Sequence, residues 1–127
     1  MSLYIGSIVV WVADVPRAAA FWAGALGYVV RGRSDAIVDP GAGWVVLTDP
    51  RRRWANLSLQ RSDEPKRGRN RLHLDLYTQD RQAEVVRLEA LGATRLPRDY
   101  DAGDDFVVLA DPDGNEFCVI QSSYTQE

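Results

Sequence analysis

The chain has 127 residues, of which 46% are hydrophobic and 26% are charged, and its formal net charge is −3. This length and composition predict one globular domain, and the weak negative charge argues against nucleic acid as a partner. The single cysteine, Cys118, excludes a disulfide within the chain and is typical of a reducing compartment. Without a long apolar run or a signal-peptide pattern at residues 1–7, we expect a cytoplasmic protein with no membrane partner.

The first half of the chain predicts one strand, one helix and three further strands. "SIVVWVADV" is rich in β-branched residues and predicts a strand. "PRAAAFWAGALGY" predicts a helix, with Pro16 in its first turn and Gly27 at its end. Strands are then expected near 28–32, 43–48 and 55–60, between turns rich in Gly, Pro and Asp. The inward stripe of the helix is expected to comprise Ala20, Phe21, Gly24 and Ala25.

The second half repeats this pattern. A strand is expected in "RLHLDLYTQD", a helix in "RQAEVVRLEALGA", and strands near 94–98, 105–110 and 115–121. The segments "WVVLTDP" and "FVVLADP" match, and "ALG" ends both helices. The sequence therefore predicts an α+β fold of two tandem βαβββ modules, about 5–61 and 70–122, with a linker at 61–69. Each helix covers one sheet face, and the other face is left for a cleft or a second chain.

Four segments carry a family resemblance: "VADVPRAAAFWAGALGY", "LHLDL", "LEALGA" and "LADPDGNEFCVIQ". Through them the chain resembles the glyoxalase/bleomycin-resistance/dioxygenase superfamily, also called the vicinal oxygen chelate fold. The resemblance implies a curved, barrel-like mixed sheet around a cavity. It also implies a homodimer, and a divalent metal bound by residues of the first and last strands of each module.

The family's metal positions are only half filled in this chain. His73 and Glu116 match the positions in the second module. At the corresponding positions of the first module the chain has Ser7 and Ala55. If the alignment of the two modules is shifted by one residue, Asn56 takes the place of Ala55. Catalytic zinc usually has three protein ligands, and non-haem iron needs two histidines and a carboxylate. We therefore expect no resident metal, with Zn, Ni, Mn or Fe at His73 and Glu116 as the alternative.

The strand around His73 alternates between leucines and polar or aromatic residues. Leucines at 72, 74 and 76 are expected to face a core, and His73, Asp75 and Tyr77 to face the opposite way. Asp75 lies about 6.5 Å along the strand from His73, so a metal shared by both would be a geometry new to this fold. Without metal, His73 and Glu116 are expected to form a hydrogen-bonded pair or a general base.

Aromatic residues are the second indication of a binding site. The chain has four tryptophans; Trp22 is assigned to the core or a dimer interface, while the others either fill the core or line a ligand pocket. An aromatic pocket suits a planar or apolar small molecule. The candidate ligand-binding residues are Ser7, Trp11, Trp44, Trp54, Asp75 and Phe106.

Three further features receive structural interpretations. The basic segments 51–54 and 66–71 are expected to be solvated turns rather than anion sites. The acidic loop 98–106 is expected to be a solvated turn, with attraction of a cationic ligand as the alternative. Cys118, within "EFCVIQ", is expected to be a buried, inert thiol.

Three functions follow from these observations. The preferred one is binding of a small, largely apolar or aromatic molecule in the barrel cavity, without a complete metal site. The first alternative is a metal-dependent lyase, isomerase or dioxygenase of the glyoxalase type that uses His73 and Glu116. The second is a metal-free acid–base enzyme that uses His73 with Asp75 or Glu116.

Overall fold

A computed structural model describes residues 2–122 and divides the chain into two compact units at Pro65 and Lys66, here called module one and module two. The predicted α+β class with two tandem βαβββ modules is confirmed. The assignment of the whole chain to one domain stays a prediction. The elements are β1 (Ser7–Val12), α1 (Val15–Leu26), β2 (Val29–Val30), β3 (Trp44–Thr48), β4 (Asn56–Arg61), β5 (Leu74–Thr78), α2 (Arg81–Leu91), β6 (Thr94–Arg95), β7 (Phe106–Ala110) and β8 (Glu116–Gln121).

Each module contains a four-stranded mixed sheet. The strand order is β1-β4-β3-β2 in module one and β5-β8-β7-β6 in module two. The first strand of each module pairs in parallel with the last, and the other pairs are antiparallel. A parallel pair needs a long crossover, and in each module the helix is part of that crossover. The two sheets therefore have the same topology, as the sequence repeat predicts.

Helix α1 begins and ends where the sequence predicts, but it buries a different stripe. The Asp14 side chain accepts a hydrogen bond from the Arg17 backbone N–H (3.1 Å), and Gly27 adopts φ 71°, a conformation that favours glycine at a helix end. The predicted inward stripe is wrong at Ala20 and Gly24, which are exposed. Burial of the large Trp22 side chain contributes most to the packing free energy and therefore sets which side of the helix faces the sheet. The buried residues of α1 are Val15, Ala18, Ala19, Phe21, Trp22 and Ala23.

Helix α2 contributes less to its core. Asp80 accepts a hydrogen bond from the Ala83 backbone N–H at 3.1 Å and so caps the first turn. Val85 and Leu88 are buried, whereas Leu91 at the last turn is 39% exposed. The apolar stripe therefore spans about one turn of this helix.

Alternation along the strands separates two faces in each sheet. Leu57 and Leu59 of β4 and Phe117 and Val119 of β8 are buried, and we define the face that they share as the helix face. The opposite face is called the helix-free face. Leu72 was predicted to face the core and is exposed, because β5 begins only at Leu74.

The repeated Asp-Pro turns have the same structural role in both modules. The Asp49 carboxylate is buried and accepts hydrogen bonds from the Arg51 and Arg53 backbone N–H groups at 2.9 and 3.1 Å. The equivalent Asp111 accepts from backbone N–H groups two and four residues later, at 2.9 and 2.8 Å. The matching segments of the sequence therefore encode a shared turn.

No helix in the described part of the chain is long and apolar enough to cross a membrane.

Candidate functional site

A row of three residues crosses the helix-free face of module one. Trp11 of β1 and Trp44 of β3 both pair with Gln60 of the intervening strand β4. Paired residues on adjacent strands share a face, so the two indoles stand on either side of Gln60. Two strand spacings separate their Cα atoms by about 10 Å. Trp11 and Trp44 are 58% and 62% exposed. We call these three residues the tryptophan row.

Two serines lie further along the same face. Ser7 Oγ and Ser58 Oγ are 2.5 Å apart and share a hydrogen bond. Val9, which pairs with Ser58, is exposed beside them. The predicted site residue Ser7 therefore lies on the face that carries Trp11 and Trp44, but its hydroxyl already has a partner.

Trp54 and Ala55, which precede β4, lie outside the tryptophan row. The Arg53 Cζ atom is 6.0 Å from the Trp54 ring centroid. The Ala55 carbonyl accepts a hydrogen bond from the Tyr28 hydroxyl at 3.0 Å. Position 55 thus holds Tyr28 in place and has no side-chain donor for a metal.

In module two, His73 and Glu116 have separate partners. His73 Nε2 lies 3.2 Å from Asp75 Oδ1, and Glu116 Oε1 lies 3.4 Å from Lys66 Nζ. Asn70 Nδ2 also donates to the Glu116 carbonyl at 3.1 Å. The predicted hydrogen bond between His73 and Glu116 is therefore wrong. His73 directly precedes the first residue of β5, and Lys66 and Asn70, from the segment before β5, contact Glu116 at the start of β8.

Cys118 was expected to be a buried, inert thiol, but it is only partly buried. It pairs in register with Asp75, and one ligand atom from each of His73, Asp75 and Cys118 lies within 4.8 Å of the others. Burial raises the pKa of the Cys118 thiol, the Asp75 charge raises it further, and the Arg98 charge opposes both. The alternation along β8 could have predicted this position from the sequence, because it places Cys118 on the same face as Glu116.

Phe106 lies under a cation. The Arg98 Cζ atom is 5.1 Å from the Phe106 ring centroid and 5.4 Å from that of Tyr100. These distances are typical of cation–π contacts. Within the acidic loop, Asp104 Oδ2 accepts a hydrogen bond from the Asp101 backbone N–H at 2.8 Å. The Asp104 carboxylate therefore stabilises the backbone of this loop.

The residues at the family's four metal positions do not fit a four-ligand site. Ser7 bonds to Ser58, and Ala55 offers no ligand atom from its side chain. His73 and Glu116 are bound to Asp75 and Lys66. The donor groups present at these positions therefore do not make up the family's ligand set.

Comparison with known proteins places this architecture. The sequence profile of the glyoxalase-like domain family matches residues 7–120, and no curated protein matches the chain. A glyoxalase/bleomycin resistance protein/dioxygenase family enzyme from Burkholderia phytofirmans is 16% identical with a TM-score of 0.68, over 92% of this chain and 97% of that one.

Two fosfomycin resistance proteins named FosX are also similar. A mutant from Listeria monocytogenes, complexed with Mn(II) and 1S,2S-dihydroxypropylphosphonic acid, is 16% identical with a TM-score of 0.69, over 97% of this chain and 92% of that one. The protein from Mesorhizobium loti is 14% identical with a TM-score of 0.70, over 97% of this chain and 94% of that one. These likenesses show the fold, and the profile match shows the family. The chain belongs to the glyoxalase-like domain family.

Proposed function

We propose that this protein binds a small, largely apolar or aromatic molecule on the helix-free face of module one, without a metal at the family's positions. The observation that supports the proposal is the tryptophan row. Large aromatic side chains usually bury most of their surface, yet Trp11 and Trp44 remain more than half exposed. Their surface is available for a ligand.

The spacing of the row suits a flat molecule. A planar ring system seated over Gln60 contacts an indole on each side, because the two Cα atoms are about 10 Å apart. The Gln60 amide supplies one donor group and one acceptor to polar atoms at the ring edge. Covering exposed indole surface contributes about 25 cal/mol per Å², so each tryptophan contributes roughly 1–3 kcal/mol of gross binding free energy.

Replacing either tryptophan of the row by alanine is expected to weaken binding of anilinonaphthalene sulfonate, used as an aromatic probe, by at least about tenfold. The dissociation constant is measured from the midpoint of the probe's own emission under direct excitation, so the signal is not lost when a tryptophan is removed. Ile37→Ala, which removes an exposed apolar side chain from the same module outside the strands, is the control and should bind as the wild type does. Equal binding by all variants would contradict the proposal.

A metal-dependent lyase, isomerase or dioxygenase is the second candidate. The observation in its favour is the Mn(II) complex of the similar FosX protein, together with His73 and Glu116 at matching positions. Their present partners, Asp75 and Lys66, argue against it. Metal content of protein purified without chelator separates the candidates, since about one Mn(II) per chain, lost in Glu116→Gln, would favour the enzyme.

A metal-free acid–base enzyme is supported by the 3.2 Å contact between His73 Nε2 and Asp75 Oδ1, because a carboxylate can orient an imidazole base. An activity that persists in a chelator and is lost in Asp75→Asn would favour this candidate.

The expected homodimer belongs to the same set of proposals. Sedimentation at twice the chain mass of 14.2 kDa would support it.

A further inference from the structure

We propose that His73, Asp75 and Cys118 form a binding site for Zn²⁺ within module two, sharing only His73 with the metal positions of the family. The three side chains present one nitrogen, one oxygen and one sulfur atom, all within 4.8 Å of one another. The inference goes beyond the proposed function, which uses the helix-free face of module one alone.

The geometry is close to that of a zinc site. Bonds of about 2.0–2.3 Å to N, O and S in a tetrahedral arrangement place the donor atoms roughly 3.3–3.8 Å apart. His73 Nε2 and Asp75 Oδ1 are already 3.2 Å apart. The side chains of His73 and Asp75 are 54% and 45% exposed, so a small rotation brings both toward the sulfur without loss of core packing.

The backbone fixes two of the three ligands relative to each other. Asp75 and Cys118 pair in register between the parallel strands β5 and β8, so their side chains leave the sheet on the same face. His73 directly precedes β5, and its side chain is 54% exposed, so it can change rotamer without repacking the core. A rigid pair with one adaptable ligand is a suitable framework for capturing an ion.

The donor set determines which metal is preferred. Thiolate and imidazole ligands suit Zn²⁺, whereas Mn²⁺ prefers carboxylate, carbonyl and water oxygen. When the metal–sulfur bond forms, the Cys118 thiol releases its proton to solvent, and the neutral imidazole and the carboxylate bind through their lone pairs. Three protein ligands leave the fourth tetrahedral position open to water. The preference therefore differs from that of an oxygen-rich site.

The neighbouring family position is separate from this site. Glu116 lies on the same face of β8, but its carboxylate is 3.4 Å from Lys66 Nζ, so its charge is already partly compensated. Substitution of Glu116 therefore distinguishes the proposed site from a metal bound at the family's positions, because it removes a ligand only from the latter.

Co²⁺ titration of the untagged, reduced, metal-free full chain tests the proposal. Because the chain has one cysteine and one histidine, a thiolate-to-cobalt charge-transfer band reports on Cys118 alone. We expect the band to saturate near one equivalent of Co²⁺, to disappear on adding Zn²⁺, and to persist in excess Mn²⁺. Cys118→Ser should abolish the band, and Asp75→Asn and His73→Ala should weaken Co²⁺ binding at least about tenfold.

Two control variants make the result specific. Glu116→Gln should keep the band, and Glu89→Gln, which neutralises an exposed carboxylate of α2, should do the same. Circular dichroism verifies that every variant is folded, and Cys118→Ala replaces Cys118→Ser if the serine variant is not. The proposal is overturned if no band forms, if Asp75→Asn and His73→Ala bind Co²⁺ as the wild type does, or if Glu116→Gln abolishes binding.

Discussion

Phe117→Ala is expected to lower the free energy of unfolding by about 3–5 kcal/mol, the usual cost of removing a buried aromatic ring from a core. Phe117 is 1% exposed on the helix face of β8 and pairs with Leu74 and Leu109 on the adjacent strands. Module two has a small core, because α2 buries only Val85 and Leu88 among its own residues. The cavity left by the ring therefore has few neighbours that could move to fill it.

Phe106→Ala is the matched control, since it removes the same ring from the helix-free face of β7. Phe106 is partly buried and lies against Arg98, so its removal is expected to cost about 1–2 kcal/mol. Urea unfolding followed by circular dichroism measures both variants. Equal losses for the two phenylalanines would contradict the assignment of the two faces.

Asp49→Asn is expected to destabilise the protein at neutral pH by about 1–3 kcal/mol. Burial opposes ionisation of this carboxylate, but hydrogen bonds from the Arg51 and Arg53 backbone N–H groups and the charge of Arg53 outweigh it and lower the pKa of Asp49. Asparagine keeps the size of the side chain but removes its charge and one acceptor oxygen. The turn after β3 is then left with a weaker set of bonds.

The pH dependence follows from the direction of that pKa shift. A carboxylate with a lowered folded-state pKa contributes stability above its unfolded value of about 3.9, and this contribution is lost as the pH falls through the folded value. The wild type and Asp49→Asn should therefore differ at pH 7 and converge in acid. Asp39→Asn, at an exposed position of the same module, should follow the wild type throughout. Thermal unfolding between about pH 2.5 and 7 gives the comparison, and a constant difference across this range would contradict the role of the charge.

The elements of this fold could be predicted because each has a local signal. Asp14 and Asp80 cap the two helices, and Gly27 and Gly92 end them, so the sequence repeat reproduced the element order. The inward stripe of α1 was predicted less well. Several of its small residues fit either side of a helix, and the sheet beneath selects the side that buries Trp22.

The candidate sites depend on strand register, which a single sequence does not contain. Alternation placed Trp11 on the face of Ser7, but only the pairing of β1 and β3 with β4 places Gln60 between Trp11 and Trp44. In the same way, the pairing of β5 with β8 places Asp75 beside Cys118. The two-residue alternation along a strand identifies the face on which a residue lies. Which residues lie beside it on the next strand is determined by the tertiary structure.

The parallel pairing of β1 with β4 has a consequence for biosynthesis. Ser7 and Ser58, which share a hydrogen bond, are 51 residues apart in the chain. During synthesis, β1 therefore cannot pair with its neighbouring strand until β4 has been made. Until then, the apolar residues Ile8, Val10 and Val12 of β1 have no adjacent strand. The antiparallel pairs of β4 with β3 and of β3 with β2 close shorter loops and form with less loss of entropy. We therefore expect the first strand of each module to be the last to join its sheet.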